Sequence, residues 1–353
     1  MFTVGLRDPL RRATNAGRCA PLVRKRSLAW RRSNALRTRT SCHGPNRPPK
    51  LSGTMPALSV VIPTRNRAAE AAEAARAVLC DQSDFELVVV DQSTNEATVD
   101  ALRELQDEPR LRVVRSSLRG ASNARNTGVA ATSAPIIAFT DDDCRPAPDW
   151  ASNVRSVFER EPGAGLMFGR VRLPAKQHVD DYAPSFEPKQ RFQRRSVPLP
   201  DGDLGIGANF AIRRGVLTAL GGFDSLLGPG APHFRGAEET DLLIRAISRG
   251  YLVINAAECD VLHIGLRTGD AVRPLHRAYQ LAVGAAFGKH ARLSGPSGLR
   301  DCLRWFGYYV RKNLDEVLHL RRPQAGALYN FSKGAATSFR YGIDGSKGVF
   351  RQR

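Results

Sequence analysis

Between Leu58 and Phe139 the chain alternates apolar strands with helical segments, and that alternation restricts the fold more than any other feature of the sequence. Leu58-Ser-Val-Val-Ile62 reads as a strand, Ala68 to Cys80 as an Ala-rich helix, Leu87-Val-Val-Val90 as a second strand and Glu96 to Gln106 as a second helix. Leu111 to Val114 is a third strand, Ser122 can cap a helix running to about Ala131, and Ile136 to Phe139 is a fourth strand. Strands that are apolar throughout and separated by helices imply a parallel sheet covered on both faces. Ligands of such sheets bind beyond the carboxyl ends of the strands. Here those ends carry Thr64, Asn66 and Arg67, then Asp91, then Asp141, Asp142 and Asp143.

The three consecutive aspartates are the strongest chemical signal. On a strand Asp141 and Asp143 leave on one side and Asp142 on the other. Adjacent anions repel, and the usual counter-charge at a strand end is a hard divalent cation with oxygen ligands, which as Mg2+ also bridges to phosphates. An acidic turn capping the helix after Pro148 is the plainer reading. The convergence of polar residues at three successive strand ends weighs against it.

At 353 residues and 42% hydrophobic content, the chain has material for a substantial core. Its net charge of +19 is uneven: residues 1–50 hold 13 Lys and Arg against Asp8, leaving +7 for the other 303 residues. Three readings of this basic segment compete: an arm for nucleic acid or anionic membrane, an organelle transit peptide, or sequence upstream of a misplaced start. Met55, three residues before the first strand, favours the last, with residues 1–55 expected as a disordered tail. None of the six cysteines forms a C-x-x-C pair, so a reduced, cytoplasmic protein is the simpler expectation. No apolar run is long enough to span a membrane.

Further motifs follow in order. Leu58-Ser-Val-Val-Ile-Pro-Thr-Arg-Asn-Arg67, Val88-Val-Val-Asp-Gln-Ser93, Gly120-Ala-Ser-Asn-Ala-Arg-Asn-Thr-Gly128 and Ile137-Ala-Phe-Thr-Asp-Asp-Asp-Cys144 come first. Gly207-Ala-Asn-Phe-Ala-Ile-Arg213, Gly221-Gly-Phe-Asp224 and Gly236-Ala-Glu-Glu-Thr-Asp-Leu242 complete the set. Together, from about Leu58 to His263, they resemble glycosyltransferase family 2. The resemblance implies a GT-A fold over residues 56–268: a mostly parallel mixed α/β sheet flanked by helices, with donor and acceptor halves.

It also implies roles. Pro63, Thr64, Asn66, Arg67 and Asp91 would hold the base and ribose of a nucleotide-sugar donor, Asp91 by accepting from a base N–H or a ribose hydroxyl. Arg125 would reach the base or the diphosphate, and Asp142 would line the donor side. Asp141 would contact the ribose and, with Asp143, bind Mg2+ or Mn2+, which neutralises the departing diphosphate. His263, at the end of the strand Cys259–His263, stands where a third metal ligand is common. Glu239 is the candidate general base and Glu238 its rival, because Glu-Glu replaces the family's usual Glu-Asp. One base without a covalent nucleophile implies direct displacement with inversion. Asp241 would face the other way, towards structure or the acceptor. Gln92 stands where the family commonly has a second Asp, so the base remains open.

Gly221-Gly-Phe-Asp224 is expected to shape an acceptor loop, and Lys176 to Pro200 to form either an acceptor-side lid or a plain surface loop. Residues 269–353 are expected as a helical C-terminal extension, with Tyr329 to Arg353 partly disordered. Leu299, Leu303, Phe306, Val310, Leu314 and Val317 recur at helical spacing, with Arg300, Arg304, Arg311 and Lys312 on another face and Trp305, Tyr308 and Tyr309 nearby. That helix either packs on the catalytic domain or lies on the inner face of a membrane, helping reach a lipid-linked saccharide acceptor. A nucleotidyltransferase would open with a Gly-rich loop where this chain has Pro63-Thr-Arg-Asn-Arg67. A non-catalytic nucleotide-sugar or nucleic-acid binding protein is the other alternative, and nucleic acid is disfavoured because the charge is confined to the tail.

Overall fold

The computed structural model describes residues 56–351 apart from 176–181, 189–192, 195–196, 198–204, 268 and 320–324. The expectations for residues 1–55, and most of the segment read as a lid, lie outside the described residues.

The first half follows the alternation in the sequence: β1 (Leu58–Thr64), α1 (Ala68–Leu79), β2 (Glu86–Asp91), α2 (Ala97–Leu102), β3 (Leu111–Arg115), α3 (Ala121–Ala130) and β4 (Ile136–Thr140). There follow β5 (Cys144–Pro146), α4 (Trp150–Arg160), β6 (Ala164–Arg172), β7 (Gln193–Arg194), β8 (Asn209–Arg213), α5 (Arg214–Ala219), α6 (Glu238–Ser248) and β9 (Leu252–His263). The C-terminal part holds α7 (Val272–Leu293), α8 (Gly295–Leu318), α9 (Ala325–Ser338) and the pair β10 (Ile343–Asp344) and β11 (Val349–Phe350).

One sheet runs in the order β3-β2-β1-β4-β8-β6-β9-β5, with β7 added on β9. Strands β1 to β4 pair in parallel, β8 runs antiparallel between β4 and β6, and β6 pairs in parallel with β9. Every residue of β4 is buried, as is all of β1 except Pro63, in keeping with a sheet covered on both faces. Register aligns Thr64 with Asp91, so the ends of β1 and β2 stand side by side. β5, antiparallel to the end of β9, sets Cys144 opposite His263 and brings the segment after β4 over the same edge.

Helix α3 lies close on this sheet. A Cβ on Gly128 would sit 2.4 Å from Val61 Cγ1 and 3.2 Å from Val90 Cγ2. Only a residue without a side chain lets the helix approach that near, and the approach delivers Arg125 to the strand ends.

Two local expectations are corrected, and two C-terminal elements are placed. The second helix is α-helical only over Ala97–Leu102 and tightens to a 3-10 turn at Arg103–Leu105. Gly120 (φ 105), not Ser122, precedes α3, and Ser122 Oγ instead donates to the Leu227 carbonyl at 2.7 Å. Tyr329 to Ser338 lies in α9, and the β10–β11 pair follows, with Phe331 and Phe350 buried. On α8 the inward face is Trp305, Tyr308 and Tyr309, whereas Leu299, Leu303, Phe306, Leu314 and Val317 are exposed. Trp305 stacks with Phe331 and packs on Phe287, so aromatic rings join α7, α8 and α9.

Candidate active site

At the end of β1 the backbone turns through Asn66, which takes a left-handed φ of 55° and donates its N–H to Ser93 Oγ at 2.7 Å. That turn aims two side chains at the aspartates after β4. Thr64 Oγ1 donates to Asp142 Oδ2 at 2.8 Å, and Arg67 Nη1 donates to Asp142 Oδ1 at 2.9 Å and Asp143 Oδ2 at 2.7 Å. Pro63, opposite Val90, is half-buried in the strand below them.

Asp91 is fully buried at the end of β2. Its Oδ1 accepts from the Ser93 N–H at 2.9 Å. Its Oδ2 lacks a hydrogen-bond donor, although Arg115 Nη1 stands 3.3 Å away. A buried carboxylate oxygen left open in this way suits an N–H or O–H supplied from outside. Gln92 turns from this site to brace the next loop, donating to the carbonyls of Leu118 and Gly120.

Asp142 and Asp143 are shifted in opposite directions because their partners differ. Burial and the neighbouring Asp143 push Asp142 up to about 6, with Thr64 and Arg67 pulling the other way. Burial also works against a charge on Asp143, yet His263 and Arg67 hold its carboxyl well below the usual range. His263 Nε2 stands 3.2 Å from Asp143 Oδ1. The burial of that imidazole favours its neutral form, but Asp143 and Asp141 outweigh burial and raise its pKa. His263 Nδ1 is buried without a hydrogen-bond partner.

Ligand atoms of Asp143, Cys144 and His263 lie within 4.8 Å of one another, which makes this a candidate metal site. The Cys144 thiol is pushed well above its ordinary range by burial and by Asp141 and Asp143, so it stays protonated there. Asp143 and His263 are the better donors, with Asp141, whose side chain is 31% exposed, beside them. One carboxylate oxygen and an imidazole nitrogen fit Mn2+ more readily than Mg2+.

The second carboxylate cluster opens α6. Ala237 enters the helix with φ 63, and Glu238, Glu239 and Asp241 follow in the first turn, all buried. Glu238 Oε1 accepts from Arg125 Nη1 at 2.7 Å. The other end of the same guanidinium, Nη2, donates to Asp141 Oδ1 at 2.9 Å. Arg125 is 2% exposed, and its guanidinium bridges the two carboxylate clusters, flanked by Phe210 and Phe223.

Burial and the adjacent Glu238 push Glu239 up to about 8, opposed by Tyr279 and Arg125. Tyr279 Oη donates to Glu239 Oε1 at 2.8 Å. Asp241 is turned into the protein: Arg245 Nε donates to its Oδ2 at 2.8 Å, and Lys289 Nζ stands 2.8 Å from its Oδ1. Lys289 also pairs with Asp224 Oδ2 at 2.5 Å, and the Phe350 N–H donates to that oxygen at 2.7 Å. Asp224 therefore belongs to a buried charge network as well as to the Gly221-Gly222 turn.

Sequence reading missed Tyr279 and Lys289. Both lie on α7, beyond the recognisable motifs, and neither spacing nor composition marks them. A cavity of about 690 Å³ lies elsewhere, lined by Asn123, Ser225, Leu226, Pro232, His233, Arg340 and Tyr341, and holds none of these carboxylates.

Comparison with known proteins is consistent with this geometry. The family model described as Glycosyl transferase family 2 matches residues 59–221. A glycosyltransferase of Haloferax volcanii, AglE, is 26% identical over 197 residues, covering 52% of this chain and 62% of its own length. Validoxylamine A glucosyltransferase of Streptomyces hygroscopicus subsp. jinggangensis is 33% identical over 127 residues, covering 34% of this chain and 30% of its own. Among solved structures, the mannosyltransferase PcManGT from Pyrobaculum calidifontis, in complex with GDP-Man and Mn2+, superposes with a TM-score of 0.53 at 17% identity. It covers 81% of this chain and 88% of its own, a likeness of fold: the mixed sheet described above is that of GT-A glycosyltransferases.

Proposed function

We propose, from the premise that this chain carries a glycosyltransferase family 2 domain across residues 59–221, a transferase that moves a sugar from a nucleotide-diphosphate-sugar donor to an acceptor hydroxyl. The observation that carries the reading is the single buried guanidinium of Arg125 joining the aspartates after β4 to the glutamates opening α6. It fixes a donor-side anion cluster and an acceptor-side one at a set separation, the arrangement a direct transfer between two bound substrates requires.

Asp91 accepts from the base or ribose through its open oxygen, with Pro63, Thr64, Asn66 and Arg67 lining that side. Asp143 and His263, with Asp141, hold the divalent cation, which when bound supplies charge neutralisation for the departing diphosphate. Asp142, tied to Thr64 and Arg67, keeps that loop shaped. Glu239 accepts the proton of the acceptor hydroxyl as that oxygen attacks the anomeric carbon, and the sugar inverts. Glu238, already engaged by Arg125, is the weaker candidate for this role.

We place the acceptor among saccharides, including lipid-linked ones, and the enzyme at the cytoplasmic face of a membrane. The exposed apolar stripe of α8, beside exposed Arg300, Arg304 and Arg311, supports peripheral contact through residues 299–320. No helix among the described residues is long and apolar enough to cross a membrane.

The test is calorimetric titration with UDP, GDP and dTDP, with and without Mn2+, on wild type and Asp143→Ala. Metal-dependent binding of one diphosphate, lost in the variant, is the expected result. A folded protein that binds none of them under any metal condition overturns the reading.

A further inference from the structure

We infer that Tyr279, on α7, is a positioning residue for Glu239, holding the acceptor-side carboxylate from a helix that lies outside the matched family domain. The inference rests on the reading of Glu239 as the base.

Three successive features of the entry to α6 converge on the Tyr279 side chain. Its hydroxyl donates to Glu239 Oε1 at 2.8 Å, and Thr240 Oγ1 stands 3.4 Å from Tyr279 Oη. At Gly236 an added Cβ would come within 2.8 Å of Tyr279 Cδ2, so the glycine backbone lies flat against the ring. Packing thus fixes the ring, and the hydroxyl lands on one oxygen of the carboxylate. With Oε1 engaged by the hydroxyl, the orientation of the carboxylate towards the acceptor proton is fixed. A general base within reach of its proton in a fixed orientation is what proton transfer requires.

The other charged groups facing Glu239 cannot perform this task. Glu238, next on α6, is an anion and repels it. Arg125 of α3 spends Nη1 on Glu238 and Nη2 on Asp141. The tyrosine hydroxyl is therefore the side-chain group that hydrogen-bonds Glu239, and with the Glu239 backbone N–H and Arg125 it favours the ionised form.

The experiment is Tyr279→Phe, which keeps the ring on Gly236 and removes only the hydroxyl, with Glu239→Gln run beside it. The readouts are kcat and KM across pH, and nucleotide-diphosphate affinity by calorimetry. For Tyr279→Phe we expect kcat to fall about 10- to 100-fold, the scale of one hydrogen bond to a charged group. The acid limb of the pH profile moves to higher pH, because the ionised carboxylate has lost a donor, while diphosphate affinity is unchanged. Gly236→Ala, which displaces the ring but leaves the hydroxyl in the sequence, is expected to move the same limb in the same direction. Wild-type kcat and pH profile in Tyr279→Phe, alongside a Glu239→Gln enzyme that binds diphosphate but does not turn over, overturns the inference and leaves the base assignment standing. Turnover retained in Glu239→Gln overturns both.

Discussion

At the residue scale, the site is governed by which carboxylates have been given a cation. Asp143 has Arg67 and His263, Glu238 has Arg125, and Asp241 has Arg245 and Lys289. Glu239 has no cation hydrogen-bonded to it: burial and the anionic Glu238 push its carboxyl up to about 8, with the Tyr279 phenol pulling the other way. The sign of the stability consequence follows. A carboxyl whose folded-state pKa lies above its unfolded value binds more protons folded than unfolded, so its contribution to stability is lost as pH rises from about 4.5 to about 8. Glu239→Gln removes that penalty. We expect its thermal midpoint to match wild type near pH 5 and to exceed it at pH 9, by an amount corresponding to roughly 2–4 kcal/mol. Equal pH dependence of the two proteins would show that Glu239 titrates normally in the fold. The aspartates and glutamates that make up this balance were legible as motifs. Their pairing was not, because Arg125 meets Glu238 across 113 residues of chain, and no spacing rule reaches that far.

At the scale of elements, what was legible follows from burial on both faces. Strands β1, β2 and β4 are continuous apolar runs, and such runs stand out against the polar turns between them. Alternatives entered where an element has two usable faces. Helix α8 carries one stripe of aliphatic residues and another of Trp305, Tyr308 and Tyr309, both at helical spacing, so periodicity announces a helix without saying which stripe is inward. Ring size decided it: the aromatic stripe fills the space between α7 and α9, leaving the aliphatic one outside. An outward stripe flanked by arginines suits an anionic bilayer surface, where apolar insertion and charge attraction add. Vesicles containing anionic lipid should therefore co-sediment with the protein. Neutral vesicles, or added salt, should weaken binding, and Leu303→Glu with Phe306→Glu should reduce it at least 10-fold, since each buried apolar side chain contributes about 1.5–3 kcal/mol. Equal recovery of the double variant and wild type with anionic vesicles would remove the membrane from this face.

At the scale of the whole molecule, the helices after β9 hold the carboxylate cluster that opens α6. Lys289 of α7 is 1% exposed and joins Asp224, at the Gly221-Gly222 turn, to Asp241 on α6. The Phe350 N–H of β11 closes on the same Asp224 oxygen, and Lys289 Nζ sits 4.7 Å over the Phe350 ring. One buried cation thus ties the turn, the helix bearing Glu238 and Glu239, and the C-terminal strand pair. Removing one partner of a buried ion network leaves uncompensated charge, at a cost of about 3–5 kcal/mol. Lys289→Met should lower the unfolding free energy by that amount. The loss falls mainly on Asp224, because Asp241 keeps Arg245. Asp224→Asn added to Lys289→Met should then recover part of the loss, whereas Asp241→Asn added to it should recover little. A double-mutant cycle by chemical denaturation reads both, and additive losses from Lys289 and Asp224 would mean that the two side chains are not coupled. If the coupling is found, α7 holds the first turn of α6 at two points, through the Tyr279 hydroxyl on Glu239 and through the Lys289 charge on Asp241.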